Sequence, residues 1–231
     1  MKQIFDRYVE TSFDGPNPSK DKIDQLYANY RRFFPASNSA RTLDIGVGRG
    51  EMLICMRNLG YDYYGIDISP STIEVCRRNN LSCEVVANTA SWLRNHEGCF
   101  ELVTCLDVLE HVPREEVIAL LVAIRAGLTA SGRLILQVPN LQSPFGYLHH
   151  FNDFTHVNGF VEHSLQQVLL AAGFTSINFY GFEERVDPQL KAKIALIARP
   201  VYWQLIRFLR RLNGNPNPQI LTPVFFAVAL S

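Results

Sequence analysis

The chain has 231 residues, enough for one α/β domain with an appendage and too few for two comfortable domains. Hydrophobic residues make up 47% of it and charged residues 19%, ordinary globular usage that excludes disordered and fibrous classes. Lys plus Arg equals Asp plus Glu at 22 each, so no overall basic field exists to neutralise phosphates, and nucleic acid is not an expected partner.

Residues 1–40 read as an N-terminal segment or lid, with turn chemistry at Gly15-Pro16-Asn17-Pro18 and a helical period across 20–34. MKQIFDRYVE lacks the apolar run of a secretory signal, and no apolar stretch reaches the roughly 18 residues of a membrane span. Cys55, Cys76, Cys83, Cys99 and Cys105 form neither a C-x-x-C pair nor a zinc spacing, which suits thiols in a reducing compartment. The expected location is cytoplasmic, with peripheral contact at the inner face of a membrane left open.

From 41 to 187 short strands alternate with helices. Strands are predicted at 42–45, 62–66, 83–87, 100–105, 133–138 and 174–182, and helices at 50–59, 70–79, 89–95, 114–128 and 163–172. Strands separated by single helices imply right-handed crossovers and a parallel sheet covered on both faces. A segment of distinct composition, 188–219, interrupts the pattern before a final strand in 220–231.

Thr42-Leu43-Asp44-Ile45-Gly46-Val47-Gly48-Arg49-Gly50 is an apolar strand running into a glycine turn that opens a helix. Glycines let a backbone approach a ligand, and the helix N-terminus offers unpaired N–H groups. Asp44 suits a ligand with a cationic amino group better than a pyrophosphate, although a plain structural turn reads the same way. Tyr64-Gly65-Ile66-Asp67-Ile68-Ser69 ends the next strand in an acid placed to accept ribose hydroxyls, while Asp67 or Ser69 also suits the cap of a helix starting near Pro70.

LDIGVGRG, YGIDIS and CLDVLEHVP, in that order and spacing, resemble the motifs of class I methyltransferases that bind S-adenosylmethionine (SAM). The resemblance covers about 41–182 and the final strand. It implies an α/β, Rossmann-like seven-stranded sheet, mostly parallel with the last strand antiparallel and helices on both faces. It also implies that Gly46, Gly48 and Gly50 cradle the methionine end beside Asp44 and Val47. Asp67 would hold the ribose, Asn88 stands where the family usually places an Asp against the adenine amino group, and Ile68, Thr89 and Leu106 would also contact the cofactor.

Cys105-Leu106-Asp107-Val108-Leu109-Glu110-His111-Val112-Pro113 follows the fourth strand, at the sheet edge where ligands bind. It is similar to a segment of ubiquinone-pathway O-methyltransferases, in which two acids and a His can hold a divalent ion such as Mg²⁺. The matching residues are Asp107, Glu110 and His111. A metal would lower a hydroxyl's pKa and orient it. His111 as a metal-free base, or simple helix capping, stays open.

The loop Tyr147–Phe160 interleaves His149, His150, His156 and Asp153 with aromatics, and either closes over the site with His156 and Asp153 as base or packs on its own aromatics. Its D-F-T-H run resembles methyltransferases that accompany bacterial surface-polysaccharide enzymes. Segment 188–219 carries Lys191, Lys193, Arg199, Arg207, Arg210 and Arg211 and no acid, with Val201, Leu205, Phe208 and Leu212 in one stripe. Such a helix can pack on the core, on a second subunit in a homodimer, or on a membrane.

After the fourth strand the acids and His stand where amino-methylating enzymes of this superfamily carry an Asn/Asp-Pro-Pro-aromatic run, which favours oxygen as acceptor. The expected function is O-methylation of a sugar hydroxyl in a cell-surface glycan or its precursor. A small lipophilic hydroxyl acceptor of the quinone-precursor type, or a SAM-binding scaffold without catalysis, remain the alternatives.

Overall fold

The structure is a computed structural model describing residues 17–184, 190–214 and 218–231, together with Ile4, Val9 and Gly15; for 190–197 it describes the helix and not the side chains. Pro16 of the expected turn, most of residues 1–14, and the stretches 185–189 and 215–217 that border the basic segment lie outside the described residues.

Seven strands form one sheet: β1 (Arg41–Ile45), β2 (Asp62–Asp67), β3 (Cys83–Val85), β4 (Phe100–Leu106), β5 (Leu128–Pro139), β6 (Ser176–Gly181) and β7 (Val224–Leu230). Their spatial order is β3-β2-β1-β4-β5-β7-β6. β1 to β5 pair in parallel, and β7 runs antiparallel between β5 and β6, as expected. β5 begins at Leu128, earlier than the period suggests, because Leu128 pairs with Phe100 before a register shift that resumes at Arg133 opposite Leu102.

Among the described residues, the helices with defined bounds are α1 (Lys20–Tyr30), α2 (Glu51–Asn58), α3 (Pro70–Arg78), α4 (Thr89–Arg94), α5 (Val117–Gly127), α6 (Gly146–Phe151), α7 (Glu162–Ala171) and α8 (Leu190–Leu212). The helical period of 20–34 ends sooner than expected, passing into a 3₁₀ turn over Arg31–Phe33. α6 was not expected at all. It is one and a half turns inside a region read as loop, too short to show a period.

Alternation along the strands builds two cores. Val103, Leu134 and Leu136 face α5 and α7 through Leu121, Ile124 and Leu165. Leu102 and Ile135 face the other way, toward Leu53 and Met56 of α2, Ile73 of α3 and Tyr30 of α1. Strands buried on both faces explain the near-continuous apolar runs in the sequence. Cys55, Cys76, Cys83 and Cys105 are buried free thiols, and Cys99 is partly exposed. Among the described residues no helix is long and apolar enough to cross a membrane.

β1 and β4 are neighbours whose connections leave in opposite directions across the sheet. That reversal opens a crevice at their C-terminal ends, where ligands bind in open α/β sheets.

Candidate active site

A cavity of about 1060 Å³ fills this crevice. Its floor is the turn after β1, where Gly46, Gly48 and Gly50 adopt φ of 77°, 52° and 89°, a left-handed region that glycine enters without strain. Gly46 has a second constraint, since a Cβ there would stand 2.2 Å from Val108 Cγ2. Gly46, Val47 and Gly48 line the cavity. Gly50, expected beside them, is instead the N-cap of α2, and a Cβ on it would meet Leu81 Cδ1 at 2.4 Å. Its glycine is required by helix packing.

The carboxylates come from adjacent strand ends. Asp44 pairs in register with Thr104 of β4, whose hydroxyl donates to Asp44 Oδ1 at 2.6 Å. Burial pushes the Asp44 carboxyl up to about 8, with Asp67 and Glu51 adding to the rise and the Thr104 hydrogen bond opposing it. Asp67 also lies above the usual carboxylate range through burial, although the Ser69 N–H donates to its Oδ1 at 2.7 Å. The capping role proposed for this stretch belongs to Ser69, whose hydroxyl accepts from the Thr72 N–H ahead of Pro70. Asp67 and Ile68 are left on the cavity wall.

Asn88, Thr89 and Leu106 line the same cavity. Asn88 is also the N-cap of α4, and its Oδ1 accepts from the Ser91 N–H at 2.8 Å. One lone pair of that oxygen is therefore committed to the helix. A buried acid, a half-buried acid and a glycine turn suit a ligand carrying a cationic amino group and vicinal hydroxyls, which is what SAM offers.

The second half of the site follows β4. Asp107 takes φ 54°, uncommon for a residue with a Cβ, and accepts from Gln137 Nε2 at 2.8 Å. The Tyr30 hydroxyl donates in turn to Gln137 Oε1. Beyond Asp107 a 3₁₀ turn over Leu109–His111 carries Glu110 and His111. The loop after α6 is tied to this turn, because the Val157 and Asn158 N–H groups both donate to the Glu110 carbonyl at 2.8 and 3.0 Å.

That tie brings Thr155 to His111. The Thr155 hydroxyl donates to Asp153 Oδ1 at 2.6 Å, so its oxygen must accept from His111 Nδ1, 2.8 Å away. His111 is thereby held as the Nδ1–H tautomer, with the lone pair on Nε2. Burial, and then the neighbouring His156, push its pKa down to about 4, which keeps the ring neutral at pH 7. His111 lines the large cavity and also a second one of about 180 Å³, shared with Asp107 and Gln137.

Two expected residues stand further back. Asp153 supports Thr155 through its side chain, and among the described residues it does not line either cavity. His156 lines the smaller cavity and donates from Nδ1 to the His150 carbonyl at 2.8 Å, behind the ring of His111 at 4.5 Å between centroids.

The expected metal set also changes membership. Ligand atoms of Glu110, His111 and His156 lie within 4.8 Å of one another, and Asp107 is replaced by His156. The reason is the geometry of the turn, which sends Glu110 inward toward His156 Nε2 at 3.9 Å while Asp107 is held by Gln137. Glu110 is fully buried, neither carboxyl oxygen is hydrogen-bonded among the described residues, and its pKa is raised by burial and by Asp107. A buried, unpartnered carboxyl between two imidazoles fits a divalent cation as well as it fits a proton.

Sequence reasoning missed Tyr30, Gln137, Thr155 and Lys22, the last of which lines both cavities from the first turn of α1. Gln137 was detectable as a polar residue inside the apolar run Leu134–Val138. Tyr30 carries no such signal, because its ring is core and only its hydroxyl reaches the site.

The sheet order and the crevice at the β1/β4 reversal define a class I methyltransferase fold. The family described as "Methyltransferase domain" matches residues 20–178, and the chain belongs to that family. A SAM-dependent methyltransferase from Archaeoglobus fulgidus is similar across 97% of this chain and 99% of its own, with TM-score 0.71 and 21% identity. A 1,6-didemethyltoxoflavin-N1-methyltransferase from Burkholderia thailandensis, solved with S-adenosylhomocysteine, covers 97% of this chain and 81% of its own, with TM-score 0.56 and 18% identity. Among curated relatives, a ubiquinone biosynthesis O-methyltransferase from Xanthomonas campestris is 30% identical over 132 residues, 55% of this chain and 54% of the relative. One from Xanthomonas axonopodis is 31% identical over 134 residues. The chain thus spans about half the length of the curated relatives it matches.

Proposed function

We propose that this methyltransferase moves the methyl group of SAM to a hydroxyl of a small lipophilic acceptor, a phenol or catechol of the quinone-precursor kind, with His111 as the base. The observation that carries the reading is the Asp153–Thr155–His111 hydrogen-bond chain, which orients a histidine that lines both cavities.

When bound, SAM supplies an electrophilic methyl for in-line displacement. The protein's share is alignment, dryness and the acceptor's proton. Asp44 would face the cationic amino group and Asp67 the ribose hydroxyls. In the smaller cavity His111 Nε2 would take the hydroxyl proton as the oxygen attacks, and Thr155 and Asp153 would hold the ring as it becomes cationic. The relatives' printed names favour a ubiquinone-type acceptor, and no observation favours the sugar hydroxyl expected from the His-and-aromatic loop.

Losing a general base typically lowers the rate by about 10²–10⁴. His111→Ala should lower kcat within that range while calorimetry gives an unchanged SAM affinity. Full activity in the variant removes His111 from the chemistry.

The buried Glu110 carboxyl favours a second reading, in which Glu110, His111 and His156 hold a divalent ion that orients the acceptor oxygen. Turnover abolished by EDTA and restored by Mg²⁺ or Zn²⁺ supports it. Full turnover in EDTA rejects the metal and leaves the base.

A further inference from the structure

A polar chain crosses the apolar core from α1 to the edge of the site. Gln137 sits in β5 between Leu136 and Val138 and is 1% exposed, and Tyr30 is fully buried against Phe182 and Phe226. A buried amide or hydroxyl is costly unless hydrogen-bonded, and packing alone would be served by Leu and Phe at these positions. Here both groups are paired. The Asp107 carboxylate can only accept, so the Gln137 amide turns Nε2 toward it at 2.8 Å and leaves Oε1 for the Tyr30 hydroxyl, which donates. Burial, and then the charges of Asp107 and Asp44, hold the Tyr30 pKa well above its ordinary value, so its hydroxyl stays a donor.

The chain ends on a residue of uncommon conformation. Asp107 takes φ 54° and is held by Gln137 twice, through the side-chain bond and through its own N–H, which donates to the Gln137 carbonyl at 3.1 Å. Such a dihedral is strained in a residue with a Cβ, and strain of this kind concentrates at functional sites. Lys22, Asp107, His111 and Gln137 line both cavities, so Asp107 stands with His111 at their border. The two are close enough for the Asp107 charge to act on the imidazole.

The division of labour follows from hydrogen-bond capacity. His111 Nδ1 is engaged by Thr155, which leaves one nitrogen to meet an acceptor hydroxyl. The bond from Gln137 occupies one of about four lone-pair sites of the Asp107 carboxylate, which keeps the capacity to accept from a second hydroxyl beside the first.

We propose that Asp107 determines acceptor specificity by accepting a hydrogen bond from the hydroxyl adjacent to the one that is methylated, and that Tyr30 and Gln137 are positioning residues that aim its carboxylate. The inference rests on the hydroxyl acceptor of the proposed function and narrows it to vicinal dihydroxy compounds of the catechol kind. A monophenol has no second hydroxyl to give to Asp107.

The test is calorimetry of acceptor binding to the full chain saturated with S-adenosylhomocysteine, using a prenylated catechol and the same compound lacking one hydroxyl. A hydrogen bond to a charged group predicts a preference for the catechol of about 10- to 150-fold. Asp107→Gly removes the carboxylate at a φ that glycine adopts freely, and should abolish the preference. Tyr30→Phe keeps the ring in the core and should lower catechol affinity about 2- to 10-fold, with monophenol and S-adenosylhomocysteine affinities unchanged. In the Asp107→Gly background it should have no further effect. Gln137→Met cuts the chain at its middle and should repeat the result where Tyr30→Phe fails to fold.

Failure to bind the catechol, equal affinity for the two acceptors, or a preference that survives Asp107→Gly overturns the proposal. So does a loss in Tyr30→Phe that is equal for both acceptors, since Tyr30 is then a packing residue. Methyl transfer from SAM, measured alongside, separates this result from the proposed function. A preferred catechol that is not methylated counts against the His111 chemistry and upholds the recognition, whereas methylation without preference does the reverse.

Discussion

Asp44 meets two opposed demands. Its burial between β1 and β4 places a carboxylate where a cationic amino group would sit, and the same burial raises its pKa to about 8. A folded-state value above the unfolded one favours folding at low pH, and that contribution is lost as pH rises from about 4 to about 8. A neighbouring cation reverses the balance by stabilising the ionised form, so SAM binding at neutral pH should release a proton. Affinity is therefore expected to rise by up to about tenfold per pH unit between about pH 6 and pH 8, then level off. Calorimetry in buffers of different ionisation enthalpy measures both the slope and the proton. Asp44→Asn should flatten the slope, leaving the neighbouring Asp67 and Glu51 as the remaining acids.

Thr155 belongs to the same scale. It neither titrates nor needs to touch an acceptor, yet it fixes which nitrogen of His111 carries the proton. Partners that orient a functional His commonly matter about 10- to 100-fold. Thr155→Val, which keeps the shape and removes the hydroxyl, should lower kcat by that order with KM for SAM unchanged, whereas Thr155→Ser should retain most activity. Equal loss in both variants would make the residue a packing element.

At the scale of elements, the glycine turn after β1 is held by the segment after β4. Gly46→Ala introduces both a left-handed φ for a residue with a Cβ and a 2.2 Å approach to Val108 Cγ2. The combined destabilisation should be roughly 2 kcal/mol or more by urea unfolding. Adding Val108→Ala relieves the approach and should recover part of it, while the dihedral cost of about 1–2 kcal/mol persists. Full recovery would mean that the turn has no conformational demand of its own.

The same turn shows why the cofactor side was legible in the sequence and the acceptor side was not. The glycines, Asp44 and Asp67 lie within two strand-turn-helix units, so local spacing carries their geometry. Gly50 is not in the cavity lining, and spacing alone cannot tell a glycine facing a ligand from one facing Leu81. His111 lies 44 positions from Thr155 and its partner Asp153 is two residues before Thr155; what joins the two stretches is a pair of backbone hydrogen bonds to the Glu110 carbonyl. The exchange of Asp107 for His156 in the acid-and-His cluster goes with the same loop, whereas α6 is too short to show a period. α8 was visible as a basic amphipathic helix, but the direction its stripe faces is settled by Tyr202 meeting Phe145.

For the molecule as a whole, one sheet edge gathers the cofactor cavity, the His111 relay and α6. The reaction proposed at this edge is methyl transfer to oxygen at the border of the two cavities. Incubation with methyl-labelled SAM and a prenylated catechol, followed by mass spectrometric location of the label, tests it most directly. The expected result is label on a catechol oxygen with the wild type, reduced about 10²–10⁴-fold in His111→Ala at unchanged SAM affinity. Label on nitrogen acceptors alone, or equal transfer by wild type and His111→Ala in EDTA, would contradict it.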